Sequence, residues 1–214
     1  MRSQDAAEVS NTAPSRTAIA GARADPKDRR ELAARIAAVA SGELRGAELE
    51  RALLEILRAD PTNPQANVRL GYVLLDSGRC ADAARHFTRA IDAHLPTADA
   101  YLGRAACELA ANHIALARQA LVAAEAIEPG NPVVDANLGL LLSDHGDPAS
   151  GIAYLQRSLA IDPDLHQARF GLAIAYARTA RRQDAAREAQ ELLRRLPRDA
   201  PQRPEVERLL ASLR

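Results

Sequence analysis

The sequence predicts an all-α protein, an α-solenoid of about five antiparallel helix pairs (residues 26–214) closed by a C-terminal capping helix. Three observations predict it. Prolines recur at a nearly constant interval, small residues recur mid-helix in the same register, and the two-residue alternation of a half-buried strand appears nowhere between them.

The prolines that close helical runs are Pro61, Pro96, Pro129, Pro163 and Pro197, separated by 35, 33, 34 and 34 residues. Each stands where its chemistry requires, because proline cannot continue a helix interior and it biases the preceding residue away from helical angles. A repeated unit of about 34 residues is a helix pair that cannot bury its apolar faces alone and so must stack on its neighbours.

The elements follow in order, with repeats at about 30–63, 64–97, 98–131, 132–165 and 166–199. The first pair, about 30–41 with 45–58, carries Ile36-Ala37, Ala40, Leu49, Leu53 and Ile56, and departs from the later copies because Leu49 stands where they hold a small residue. The second, 64–77 with 80–93, runs Leu70-Gly71, Leu74, Ala83, Phe87 and Ala90. The third, 98–110 with 114–126, runs Tyr101, Ala105, Ala117, Leu121 and Ala124. The fourth, 132–144 with 148–160, has Leu138-Gly139, Leu142, Gly151, Leu155 and Ser158. The fifth, 166–178 with 182–195, has Leu172-Ala173, Tyr176, Ala185, Ala189 and Leu192.

Gly71, Ala105, Gly139 and Ala173 fall mid-helix, where glycine is disfavoured by up to ~1 kcal/mol relative to alanine. A close helix crossing offsets that penalty, with Ala83, Ala117, Gly151 and Ala185 as the matching small surface. Turns within the pairs fall at Gly78, Asn112 and Gly146, residues that accept a left-handed backbone. The last pair turns at Ala180-Arg181 without glycine. A final helix, about 202–213, places Leu209, Leu210 and Leu213 on one side as a cap for the last repeat, while residues 1–25 show no apolar period and are expected to be disordered.

These residues resemble the aromatic, Leu-Gly, Tyr, Ala, Phe, Ala, Pro signature of the tetratricopeptide repeat family over about residues 64 to 197. The resemblance implies a right-handed solenoid whose first helices line a concave groove that receives a protein or peptide partner. Carried over by position, the groove-facing residues are Val68, Tyr72 and Leu75, then Leu102, Ala106 and Leu109, then Val133, Ala136 and Leu140, and finally Phe170, Ile174 and Ala177. Leu75 and Leu109 suit either groove lining or closure against a neighbouring helix. Members that grip the acidic C-terminus of heat-shock chaperones use Lys and Asn on these faces. Here Val68, Tyr72, Leu102 and Ala106 stand instead, and Asn137 is the one central amide, so that binding mode is not expected.

Composition narrows the function further. Lys plus Arg and Asp plus Glu both number 28, and aromatics make up 3%, so neither the field nor the stacking surfaces of a nucleic-acid binder are present. A single lysine, Lys27, set against many arginines and alanines points to a GC-rich bacterial coding sequence. No long apolar run suggests a signal peptide or membrane span, and cytoplasmic residence is expected. Cys80 and Cys107 lack the CxxC spacing of a metal or redox motif and read as packed thiols of a reducing compartment.

Catalysis needs a nucleophile or acid–base with an orienting partner, and no such set emerges. His86, His94, His113, His145 and His166 form no metal-ligand motif, Gly130 stands alone as a loop glycine, and Asp144, His145 and Asp147 read as the polar turn around Gly146. Arg178, Arg181, Arg182, Arg187, Arg194, Arg195 and Arg198 could form a phosphate stripe, but Asp184, Glu188 and Glu191 interleave at helical spacing and make a solvated helix face the simpler reading. The expectation is therefore a non-catalytic scaffold without cofactor or metal, binding an apolar peptide or helix, with no nucleic acid and no membrane; the alternative is a structural or accessory subunit that positions a bacterial enzyme or assembly.

Overall fold

The computed structural model describes residues 26–93 and 97–213, with side chains described from residue 30 onward. The expected disorder of 1–25, the repeat proline Pro96 and His94 lie outside them. All described secondary structure is helical: α1 (Pro26–Ser41), α2 (Gly46–Ala59), α3 (Pro64–Asp76), α4 (Cys80–Asp92), α5 (Ala98–Ala110), α6 (Ile114–Ile127), α7 (Pro132–Asp144), α8 (Pro148–Ile161), α9 (His166–Arg178), α10 (Arg182–Arg195) and α11 (Arg203–Ser212).

Four of the helices, α3, α5, α7 and α8, start at side-chain caps. Asn63 accepts from the Ala66 N–H at 3.0 Å, Thr97 from Ala100 at 3.3 Å, Asn131 from Val133 at 2.9 Å, and Asp147 from Ser150 at 3.1 Å. Pro64, Pro132 and Pro148 sit in the first turns of α3, α7 and α8, where a missing N–H is harmless. Gly78 and Gly146 end α3 and α7 in the left-handed region, at φ +73° and +105°, and Asn112 does so at +59°. The fifth pair uses Ala180, also at φ +59°, so the position demands the left-handed turn although the residue is not suited to it.

Each helix packs most closely on its sequence neighbour, and α3 also meets α5 while α7 meets α9. Among the described residues the second helices of successive pairs show no comparable packing on one another. At the α3–α5 and α7–α9 steps the first helices are therefore the crowded side and the second helices the splayed side, the condition for a solenoid that curves around its first helices. The small residues named from the sequence close the joints: Ala83, Ala105, Ala117, Ala173 and Ala185 are all buried. The fully buried Phe87 ring fills the second joint, where a Cβ added to Gly71 would lie 2.6 Å from it and one added to Gly103 2.2 Å.

The first repeat departs from its expected register. Leu53 and Ile56 of α2 are buried, but Ile36, Ala37 and Ala40 of α1 are exposed and Val39 takes the buried place. Among the described residues no helix pair precedes α1 to cover its second side, and only the face carrying Leu32 and Val39 meets the core. Leu49, the residue out of pattern, is half-buried against that cluster.

Buried polar side chains lock the second, fourth and fifth pairs from within. Asn67 of α3 donates to the backbone oxygens of Pro61 and Asn63 at 3.0 and 2.9 Å, which leaves its Oδ1 to accept from His86 Nδ1 of α4 at 2.9 Å. In the fourth pair, Arg157 Nε of α8 donates to the fully buried Asp135 Oδ2 at 2.6 Å, and its Nη2 reaches Glu125 Oε1 at 2.6 Å. In the fifth, Arg169 donates to Glu188 Oε2 and to the Pro163 carbonyl, each at 2.8 Å.

Candidate partner-binding groove

The residues expected to line the groove stand on α3, α5, α7 and α9 and divide into two groups by burial. The first group is spent on the fold. Tyr72 packs its ring edge-on to Phe87, with centroids 5.1 Å apart, and its hydroxyl donates to the Asp99 backbone oxygen at 2.9 Å. Burial, followed by the Asp99 charge, pushes its phenol up to about 12. Tyr72 thus ties α3 to α5. Leu75, Leu102 and Phe170 are half-buried, each against a different core cluster. Leu140 is a knob in the joint between α7 and α9, since a Cβ on Gly171 would lie 2.3 Å from its Cδ2. Ala136, predicted to face the groove, is only 1% exposed and packs with Leu155 and Leu172. It presents no surface, because at its register the neighbouring pair closes over the helix.

The second group keeps its surface. Leu109 on α5 and Val133 on α7 are 36% and 42% exposed, and Val68, Ala106 and Ile174 are half-buried outside all four core clusters. Asn137, between Val133 and Leu140, turns its amide back to the Val133 carbonyl at 2.8 Å, which withdraws it from backbone recognition. The inner wall is therefore aliphatic where it is open.

Near the N-terminal repeat lies a hollow of about 320 Å³ bounded by Ile36, Val39, Leu53, Ile56, Ala66 and Arg69. The sequence did not single this hollow out. Its one large exposed apolar side chain is Ile36, at 46%.

Five arginines of the C-terminal run are paired. Arg181 and Arg187 both meet Asp184, at 2.7 and 3.0 Å; Arg195 meets Glu191 at 2.7 Å; Arg178 pairs with Asp144 of the preceding repeat, and Arg194 with Glu191. Much of the arginine run is thus a solvated helix face whose charge neighbouring carboxylates offset. Among the described residues there is no group of three or more His, Cys, Asp and Glu side chains that could hold a metal ion, and no helix is long and apolar enough to cross a membrane.

Family models described as tetratricopeptide repeat match residues 68–132 and 142–213. No curated protein sequence matches at a significant level. Among solved structures, MamA from Desulfovibrio magneticus RS-1 (residues 41 to the end) superposes with a TM-score of 0.65 at 20% identity, covering 80% of this chain and 96% of that one. PilF of Pseudomonas aeruginosa gives 0.64 at 17% identity, covering 87% and 88%. YrrB, described as a tetratricopeptide protein with an unusual peptide-binding site, gives 0.62 at 18% identity, covering 83% and 90%. At such identities the likeness is one of fold.

Proposed function

Because the chain belongs to the tetratricopeptide repeat family, a family of protein interaction scaffolds, we propose that it seats an apolar helix or extended peptide of another protein along the inner faces of α3, α5, α7 and α9. The observation that carries this reading is the pair Leu109 and Val133, large apolar side chains left 36% and 42% exposed on successive first helices, flanked by the half-buried Val68, Ala106 and Ile174. Aliphatic surface of this kind gains by desolvation when a partner covers it. The peptide-binding site ascribed to YrrB, a protein of the same fold, supports the same use of the fold here. The role is non-catalytic: Asn67, Asp135 and Ser158, whose side chains are fully buried, all bond within the repeats rather than face an open cleft.

The test substitutes Leu109→Arg together with Val133→Arg, both solvent-accessible enough to be replaced without emptying the core. Capture of partners from lysate should fall while helicity and melting temperature stay unchanged. Added salt should weaken wild-type capture little, because the contact is aliphatic and the chain carries no net charge. A folded variant that retrieves the same partners removes the groove reading.

A second reading, that the chain positions another subunit through its outer side, has its own observation. Leu116 and Val122 of the second helix α6 are 44% and 49% exposed. Leu116→Arg with Val122→Arg should be silent in the capture assay if the groove is the site, and loss of capture through this variant alone would favour the outer face.

A further inference from the structure

We propose that Cys80 and Cys107 are a reversible dithiol–disulfide pair that ties the second helix pair to the third, with Cys80 as the thiol that meets the oxidant and Cys107 as the one that resolves it. The two lie 27 residues apart in different repeats, too far for a local redox motif. The fold brings them together because Cys80 opens α4, Cys107 lies in the last turn of α5, and α4 packs along α5.

Their environments differ in the way such a pair requires. Cys107 is 4% exposed and belongs to the cluster that holds Phe87 and Leu74, while Cys80 packs against that cluster from its half-buried edge. A surface hollow of about 440 Å³ opens beside them, walled by Gly78, Ala81, Ala84, Glu108, Ala110 and Ala111. Most of these neighbours are small, so a peroxide can reach the Cys80 sulfur and the sulfurs have room to turn towards bonding geometry. Both cysteines line this hollow, and burial, followed by the Cys80 charge, pushes the Cys107 thiol up to about 12. Cys107 therefore stays protonated and shielded until its partner is activated.

The co-reactant is a hydroperoxide. The Cys80 sulfur attacks the terminal peroxide oxygen, the O–O bond breaks, and hydrogen peroxide leaves one oxygen on Cys80 as a sulfenic acid and departs as water. The Cys107 sulfur then attacks the Cys80 sulfur, the S–S bond forms, the S–O bond breaks, and the departing hydroxide takes the Cys107 proton as a second water. Two thiols lose two electrons and the peroxide gains them. An external dithiol reverses the step by exchange.

The bond would close a loop across the joint in which Phe87 sits between Gly71 and Gly103, restricting the unfolded chain and holding α4 against α5. The experiment treats the full chain with hydrogen peroxide and follows free thiols under denaturing conditions, intact mass and a non-reducing peptide map. Both thiols should disappear together, the monomer should lose two hydrogen atoms, the peptides carrying Cys80 and Cys107 should be joined, and dithiothreitol should restore all three readings and lower the raised melting temperature. Cys107→Ser should leave a Cys80 sulfenic acid that dimedone traps, and Cys80→Ser should leave Cys107 unlabelled. Persistence of both thiols, oxygen added to Cys80 as sulfinate without a cross-link, a bond between two chains, or dimedone on Cys107 would each overturn the proposal. All readings are of sulfur, so they stand apart from partner capture.

Discussion

Gly139 of α7 and Gly151 of α8 meet backbone to backbone: a Cβ on Gly139 would stand 2.9 Å from the Gly151 carbonyl oxygen, and one on Gly151 would stand 2.7 Å from the Gly139 carbonyl oxygen. Neither obstacle is the end of a flexible side chain, so a substitution must push the helices apart. Gly139→Glu adds a buried charge without a partner to that displacement and should destabilise by about 3–5 kcal/mol. Gly78→Ala has nothing within 4 Å and loses only the left-handed turn at φ +73°, about 1 kcal/mol. Urea melts of the two variants check the order. Equal midpoints would show that the fourth pair is not closed at these glycines.

Ala180 gives the opposite sign. It holds φ +59° in the turn between α9 and α10, the place filled by Gly78, Asn112 and Gly146 in the preceding pairs. Ala180→Gly relieves the Cβ strain and gives part of the gain back as unfolded-chain entropy, so it should stabilise by about 0.5–1 kcal/mol. A lower melting temperature in the variant would contradict this.

These two turns show what could be read from the sequence. Proline, glycine and alanine are legible because their constraints are local: the repeat prolines mark helix ends, and Gly71 and Gly139 mark crossings in any order of side chains. Gly103 is hidden by the period, which puts Ala105 at the small-residue place, yet Gly103 abuts Phe87 as Gly71 does. Its signal existed in Gly171, which holds the same register two repeats later and abuts Leu140. Asn67, Asp135 and Arg169 were not legible as buried latches, since they share a register but no residue type and each depends on a partner from the second helix. The groove failed in part for the same reason: a position carried over from repeat to repeat says which way a side chain starts, and only the neighbouring pair decides whether it is covered.

The latch between Asn67 and His86 makes stability depend on pH. Burial, followed by the charge of Arg89, holds the His86 imidazole below its ordinary range, and its Nδ1–H is donated to Asn67. The folded state therefore binds a proton less readily than the unfolded chain, whose histidine titrates near about 6.5. The contribution is complete above that value and is lost as pH falls from it through the lower folded value. His86→Gln retains a donor but cannot titrate. Between about pH 7.5 and 5.5 the wild type should lose more melting temperature than the variant, and parallel curves would refute it.

Removal of α11 should expose an apolar end. Val206 is 1% exposed in a cluster with Ala173, Ala189, Leu192 and Leu196, and Arg203 Nη1 donates to the Leu193 and Leu196 carbonyls at 2.8 and 3.0 Å, closing the end of α10. Truncation after residue 202 should lower the melting temperature and produce concentration-dependent self-association in sedimentation, since an uncovered terminal repeat offers its face to another copy. A truncated chain that stays monomeric and as stable as the full one would show that α11 is not a cap.

The last prediction separates packing from recognition within the inner wall. Leu140 and Val133 are two turns apart on α7 and both were expected in the groove, but Leu140 fills the space left by Gly171 whereas Val133 is 42% exposed. Leu140→Ala removes atoms from a joint that cannot fully collapse and should destabilise by about 2 kcal/mol. Val133→Ala should stay within about 0.5 kcal/mol of wild type, as exposed positions do. Partner affinity should order them the other way once each is measured well below its melting temperature, because Val133 contributes contact area to a bound chain and Leu140 contributes shape to the wall behind it. If Val133→Ala alters stability as much as Leu140→Ala, the surface assigned to recognition is core, and the binding site must be sought on α6 or the end of the array.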